Sequence, residues 1–546
     1  VPEEKSLFSR VMRSTAVVSG IVLLCKVMGF LEKVLLGSIY GSDAEKYQMD
    51  IYLAVVTIVV LFYEIMRYAL IPALLPALSE LRDKEGDEAS WKLASTFLNV
   101  MLPVLGIAVA VILIWPKDVL SILLRELPGG EADPETKLAL ASSLLRIMFL
   151  GGLALIAGGI AYAILNSYKR FAAPAFGDLA FKVAATIPLI AIIALWAMEK
   201  HRDWIIDSGI KCVAGGIMVG CVALLGVQLV ALRKKLGYYR FSIDLSSPAA
   251  KKVLTAAAPL VAYALFYHSR RIVDIYFAFQ MAEGSYAGVD FSYRLIEFPF
   301  RLVIEPLGYV VFPFFATLAL KEDRSELTDV LMVALRGLVL LLVPMSVGLY
   351  LLREPVVRLL FEHGEFANVA LTVTPLAWYS IGIAAFALDV ILMKAYFSVR
   401  DVVTPVVTEA LTFVLNVVLI VVFKDSMGNG AIALGFSTAR TVKVLVLVAL
   451  MRWRFGTFKL GENLAFLTRV IPAVAAMGVA VWFVRGFLGD HLDLAKKIHR
   501  AILVGAPAAV GVVVYVGAIA ALRVKEITRL IQMAKDAKKR KTEAVS

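Results

Sequence analysis

Apolar runs of about twenty residues recur along the whole chain, each long enough to cross a bilayer as a helix. About fourteen can be drawn, among them 15–39, 51–78, 138–167, 178–198, 253–281, 288–318, 371–398, 403–423, 430–453, 463–487 and 498–523. The polar segments between them are short and leave no room for a sizeable soluble domain. The pattern predicts an all-α polytopic membrane protein.

Two pairs of stretches repeat. "ILNSYKRFAAP" (Ile164–Pro174) and "ILMKAYFSVRDVVTP" (Ile391–Pro405) share Ile-Leu, then Tyr, a basic residue and Pro. "IPALLPALSELRD" and "VVFPFFATLALKED" form the second pair. The members of each pair lie an even number of spans apart, so the halves have the same orientation. That predicts two parallel six-helix lobes plus two C-terminal helices, a transporter layout. The expected divisions are an amphipathic lead-in over 1–14, an N-lobe over 15–232, a basic linker over 233–252, a C-lobe over 253–453, two further helices over 463–523 and a basic tail over 524–546. Lys and Arg concentrate in the linker and the tail, which places both termini in the cytoplasm.

Charges inside the apolar runs are the candidate chemistry, because a charge at bilayer depth costs at least ~2.5–3.5 kcal/mol. In the first run Lys26, Glu32 and Lys33 interrupt "VVSGIVLLCKVMGFLEKVLLGSIYG". Glu64 and Arg67 stand in the second, and Arg270, Arg271 and Asp274 in the seventh. In the eighth, Asp290, Arg294, Glu297, Arg301 and Glu305 recur every three or four residues and share one helical face. Such a stripe avoids lipid by lining water or by forming a salt-bridge ladder with its neighbours, and the pattern alone leaves both open. The charged helices are the first two of each lobe, so the expected binding cavity between the lobes takes Lys26, Glu32, Lys33, Glu64, Arg67, Arg270, Arg271, Arg294, Glu297 and Arg301. Elsewhere His363 is expected in a loop, His268 near the cavity, Glu409 solvated near the cytoplasmic boundary, and Asn416 in a helix-packing contact.

A cationic cavity suits an anionic substrate, and the planar fork of Arg suits phosphate. An inside-negative potential would drive such a substrate outward, by ~2.3 kcal/mol per charge per 100 mV. Of the 546 residues 60% are hydrophobic and 18% charged, with a net charge of +12. The basic tail reads as a contact with anionic lipid rather than with nucleic acid. Cys25, Cys212 and Cys221 lie in apolar runs without a CxxC spacing, which argues against a metal site. No G-x-x-x-x-G-K-[ST], H-E-x-x-H or G-x-S-x-G occurs, so an internal P-loop ATPase is excluded and no enzyme is expected. A membrane-embedded glycosyltransferase would need a large loop with paired carboxylates. A cationic-drug antiporter would need an acidic cavity.

"ILNSYKRFAAPAF", "YRLIEFPFRLVIEPLGYVVFP", "EPVVRLLFEHGEFA" and "KAYFSVRDVVTPV" resemble the signature stretches of the MurJ/MviN lipid II flippases of the multidrug/oligosaccharidyl-lipid/polysaccharide exporter superfamily. The resemblance runs from about the first to the twelfth span. It implies alternating access of two lobes around a cationic cavity, with lipid II moved from the inner to the outer leaflet of the bacterial inner (cytoplasmic) membrane. It implies a lipid-tail groove at the last two helices and a role for Arg294. It also implies a cation site at Asp274 and Asn416, and so coupling to Na⁺, H⁺ or the membrane potential, with no cofactor. The partners are then the lipid-linked substrate and membrane lipids, with the protein a monomer. The opening stretch departs from the family: where it reads S-R-V-x-G-F-x-R-D, this chain has "CKVMGFLEK", with Lys26, Glu32 and Lys33 at the charged positions. Another lipid-linked oligosaccharide or polysaccharide unit is therefore the alternative substrate.

Overall fold

The computed structural model describes residues 2–40, 46–65, 67, 70–123, 133–196, 198, 204–320, 325–361, 369–455, 460–493, 496–522 and 524. Among these, seventeen α-helices follow one another: α1 (Pro2–Tyr40), α2 (Lys46–Ile65), α3 (Ile71–Glu85), α4 (Asp87–Ile114), α5 (Pro116–Leu123), α6 (Pro134–Leu150), α7 (Gly152–Ser167), α8 (Ala172–Trp196), α9 (Ile210–Leu232), α10 (Pro248–Ala278), α11 (Ser285–Leu318), α12 (Ser325–Phe361), α13 (Ala370–Ser398), α14 (Val403–Met427), α15 (Gly430–Phe455), α16 (Leu460–His491) and α17 (Lys497–Ala521). The basic tail from 525 onward and the side chains of the 1–14 lead-in lie outside the described residues.

Eleven helical segments of the described residues are long and apolar enough to cross a membrane. The expected first, second and eighth spans correspond to α1, α2 with α3, and α11. α11 is long enough but carries ionisable residues from Asp290 to Glu305. Between α2 and α3 the described residues 67 and 70 are π-helical, and Pro72 stands in the first turn of α3. Proline lacks an N–H and is tolerated there rather than in a helix interior.

The chain forms two compact units that divide between Ala287 and Gly288, in the first turn of α11. The contacts of α10 are with α2, α3 and α5, so this span groups with the first unit. There α9 packs on α8, α7 and α6, α1 packs on α8, and α2 packs on α6. Leu74, Leu78, Phe97, Ala163 and Leu165 are fully buried in one core of this unit. In the second unit α13 packs on α12 and α15, α14 packs on α15, and α16 and α17 pair with each other and with α12. Gly288 makes one close approach possible: a Cβ there would lie 2.1 Å from the Leu371 carbonyl oxygen.

The repeat read from the sequence has a structural counterpart. Helices α7 and α13 both end on a basic residue in the left-handed region, Lys169 at φ 58° and Arg400 at φ 59°. The next N–H reaches back five residues in each case, Arg170 to Leu165 and Asp401 to Tyr396, at 3.0 and 3.1 Å. Both turns thus satisfy a carbonyl that the end of a helix leaves unpaired. Beside the first, Tyr168 donates to Asp87 at 2.8 Å and accepts from Trp91 at 3.0 Å. Burial and the Asp87 carboxylate push the Tyr168 phenol up to about 12, so it stays a donor.

Candidate functional site

The first unit gathers charged side chains from α1, α2, α8 and α10. In α1, Glu32 and Lys33 are buried and Lys26 is half-buried. Lys182 of α8 donates to Glu32 at 3.0 Å. The Lys33 ammonium stands 5.7 Å from the Tyr52 ring centroid, a cation–π distance. The charges of Lys26 and Arg67 both reach Asp178 of α8. Arg67 lies 6.0 Å from the centroids of both Tyr63 and Tyr162.

In α10, the buried His268 Nδ1 lies 2.8 Å from the Glu64 carboxylate, and Arg270 donates to Asp274 at 2.5 Å one turn away. Arg271 is half-buried beside that pair. Tyr263 and Tyr267 stack on the same helix with centroids 5.9 Å apart. The structure therefore brings Lys26, Glu32, Lys33, Glu64, Arg67, Arg270, Arg271 and Asp274 into one unit, each with aromatic or opposite-charge neighbours. Lys182 and Asp178 were missed from the sequence. Their signal was present in "GDLAFKVAAT", where an acid and a base four residues apart face the same way at the start of an apolar run.

The second unit places the eighth-span stripe on α11. Arg294 donates to Glu297 at 2.9 Å and lies 3.6 Å from Asp290, while Asp290 and Glu297 are buried. The side chains of Arg301 and Glu305 lie outside the described residues, as does His363. The flank of α11 next to that stripe carries aromatics. Tyr293 meets Tyr379 at 5.7 Å and Phe436 at 5.9 Å, and Phe300 stacks on Phe386 at 4.0 Å. An aromatic face buried against α13 and α15 fixes the rotation of α11, and so fixes where its charged face points.

Glu409 is a correction: it is not solvated but buried among cations. Arg440 donates to it at 3.0 Å and Lys443 at 2.5 Å. Both cations also bind Asp389, at 2.7 and 2.8 Å. All four side chains are no more than 2% exposed. A charge-balanced quartet of this kind is tolerable at membrane depth because every ion has two opposite partners. The sequence signal was Arg440 and Lys443, one turn apart in an apolar helix.

Asn416 of α14 is buried, and neither of its amide atoms has a hydrogen-bond partner among the described residues. It abuts α15 at Gly435, where a Cβ would come within 2.9 Å of the amide oxygen. Among the described residues no cluster of three or more His, Cys, Asp or Glu could hold a metal ion. Between α12 and α16 of the same unit runs an apolar groove of about 580 Å³, lined by Val339, Val343, Leu351, Leu467, Val474 and Trp482.

Comparison with known proteins places this arrangement. A family model described as lipid II flippase MurJ matches residues 44–500. The lipid II flippase MurJ of Burkholderia cenocepacia is 24% identical over 475 residues, 86% of this chain and 89% of that one. A probable lipid II flippase MurJ of Buchnera aphidicola is 24% identical over 494 residues, covering 90% and 92% of the two chains. Among solved structures, lipid II flippase MurJ in an inward closed conformation aligns with a TM-score of 0.73 at 21% identity, over 92% of this chain and 97% of that one. An inward-facing multidrug resistance transporter of the MATE family aligns with a TM-score of 0.65 at 13% identity, over 79% and 94%. Since the family model covers most of the chain, the chain belongs to the lipid II flippase MurJ family.

Proposed function

We infer that this protein is a lipid II flippase, carrying the undecaprenyl-diphosphate-linked peptidoglycan precursor from the inner to the outer leaflet by alternating access. One observation within the membrane-spanning helices supports the substrate class best. Lys26, Lys33, Arg67, Lys182, Arg270 and Arg271 all stand in the first unit, on neighbouring helices. A diphosphate headgroup needs such a concentration of cations once it leaves water. The carboxylates among them, Glu32, Glu64, Asp178 and Asp274, hold the cations in position while the site is empty. Within the second unit, Arg294 is the candidate cation. The apolar groove between α12 and α16 matches the chemistry of a polyprenyl tail. Asp274 in the first unit and Asn416 in the second are the candidate cation-binding residues.

The protein works as a monomer in the inner membrane, with both termini in the cytoplasm, an orientation supported by the basic residues of 233–252. The protein acts as a carrier and not as an enzyme. Expression of the wild-type chain in cells depleted of their own lipid II flippase tests the reading. Growth and normal cell shape are expected. Lysis, with the protein present in the membrane fraction, would favour another lipid-linked oligosaccharide as substrate, in keeping with the altered "CKVMGFLEK" stretch.

A further inference from the structure

The apolar stretch of α4 begins near Leu93, so Thr96 and Asn99 lie one to two turns inside it. The segment Tyr239–Leu245, between α9 and α10, runs against these two polar residues. The Thr96 and Ser242 hydroxyls are 2.9 Å apart. The Asn99 amide donates to the Ser242 carbonyl at 3.0 Å, and the Tyr239 hydroxyl donates to the Asn99 amide oxygen at 2.8 Å. Asp244 accepts from the Ser246 hydroxyl at 2.7 Å and from the Ser246 and Ser247 N–H groups at 3.2 and 3.1 Å. These bonds hold its carboxyl below the usual range.

The polar side of this strap is thus consumed by the protein, at a depth where α4 is already apolar. Alternate residues face away: Phe241 is 77% exposed and Ile243 61%, with Tyr239 and Leu245 exposed beside them. A water-facing loop would show the reverse pattern. Within the strap or flanking it in sequence, Arg233, Lys234, Arg240 and Lys251 are exposed; none forms an ion pair among the described residues, and Arg240 donates to the Gly237 and Tyr239 carbonyls at 3.0 and 3.1 Å. Exposed apolar side chains among basic residues without carboxylate partners match the surface of an anionic bilayer.

We propose that Tyr239–Leu245 is an interfacial anchor that inserts Phe241 and Ile243 into the acyl boundary of the membrane. Arg233, Lys234, Arg240 and Lys251 then hold anionic phospholipid headgroups around it. The strap closes the polar face of α4 against lipid and ties the junction between α9 and α10 to the bilayer surface.

The test uses the full chain with Cys25, Cys212 and Cys221 replaced by Ser and one nitroxide at 241, 243 or 246. Each protein is reconstituted in vesicles with and without anionic phospholipid. Collision rates with oxygen, which partitions into lipid, and with a water-soluble nickel chelate are compared. Labels at 241 and 243 are expected to favour oxygen, and the label at 246 the chelate. In the Lys234→Gln/Arg240→Gln protein, enrichment of spin-labelled anionic lipid at the strap is expected to fall about two- to fivefold per charge removed. Chelate collisions at 241 and 243 as frequent as at 246 would overturn the proposal and leave this face to a soluble partner. Unchanged lipid enrichment in the double variant would overturn the headgroup assignment. Positions 241, 243 and 246 are exposed on the protein itself, so the labels are expected to leave its packing intact.

Discussion

Lys182 of α8 and Glu32 of α1 face each other at 3.0 Å, an ion pair between two membrane-spanning helices in which the carboxylate is the more deeply buried member. It answers the question raised by a carboxylate in the middle of an apolar run: Glu32 is held by a lysine from another helix. The pair ties α1 to α8 and keeps Lys182 among the other cations.

Lys182→Ala removes the cation and leaves Glu32 buried. Breaking a buried pair from one side costs ~3–5 kcal/mol, and the part-exposed Lys182 lowers the expected cost to ~1–3 kcal/mol. Glu32→Gln combined with Lys182→Gln is expected to be less destabilised than the sum of the single changes. Thermal unfolding of the four proteins of this cycle in detergent checks it; additive losses would show no coupling.

The quartet in the second unit carries a larger energetic consequence. Arg440→Met leaves Asp389 and Glu409 with Lys443 as the remaining cation of the cluster and is expected to cost ~3–5 kcal/mol. Replacing all four charges by apolar residues of similar volume is expected to recover most of that loss. Folded yield and unfolding temperature in detergent measure both outcomes.

Backbone approach makes Gly288 intolerant. A methyl group at 2.1 Å from the Leu371 oxygen forces α11 away from the start of α13. Gly288→Ala is expected to destabilise by ~1–3 kcal/mol or more. By contrast Gly226→Ala, with nothing within 4 Å of the added Cβ, is expected to be close to neutral. Side-by-side unfolding of the two variants tests the contrast.

Glu80 gives a pH-dependent contact outside the membrane. Hydrogen bonds from Lys252 and Lys84 lower its carboxyl from 4.5 to about 2. A depressed folded-state value stabilises above the unfolded value, and that contribution is lost as pH falls from about 4.5 toward about 2. Wild-type protein should therefore lose more thermal stability between pH 5 and pH 2.5 than Glu80→Gln does. Parallel melting curves would contradict the assignment.

Much of the fold was legible because bilayer thickness fixes the length of apolar runs. The paired turns at Lys169 and Arg400 were visible as a repeated Tyr–basic–Pro pattern. The π-helical residues ahead of Pro72 were not foreseen, because the apolar pattern of the second span continues through them. The eighth-span stripe was legible from three- and four-residue spacing. Lys182 and the Asp389–Glu409–Arg440–Lys443 quartet were not assigned, because pairing between helices depends on which faces meet, and a single sequence does not give that. Glu409 was misread for the same reason: proximity to a helix end suggested water, whereas α15 supplies two cations.

The central claim is that the membrane-embedded cations carry a lipid-linked diphosphate headgroup across. Reconstituted protein in vesicles bearing fluorescent lipid II in the inner leaflet, with an impermeant quencher outside, measures this directly. Wild-type chain should expose the label within minutes, and Arg294→Ala should leave it protected while retaining the folded protein. Equal exposure by the two proteins, or none by wild type with an imposed inside-negative potential, would contradict the account.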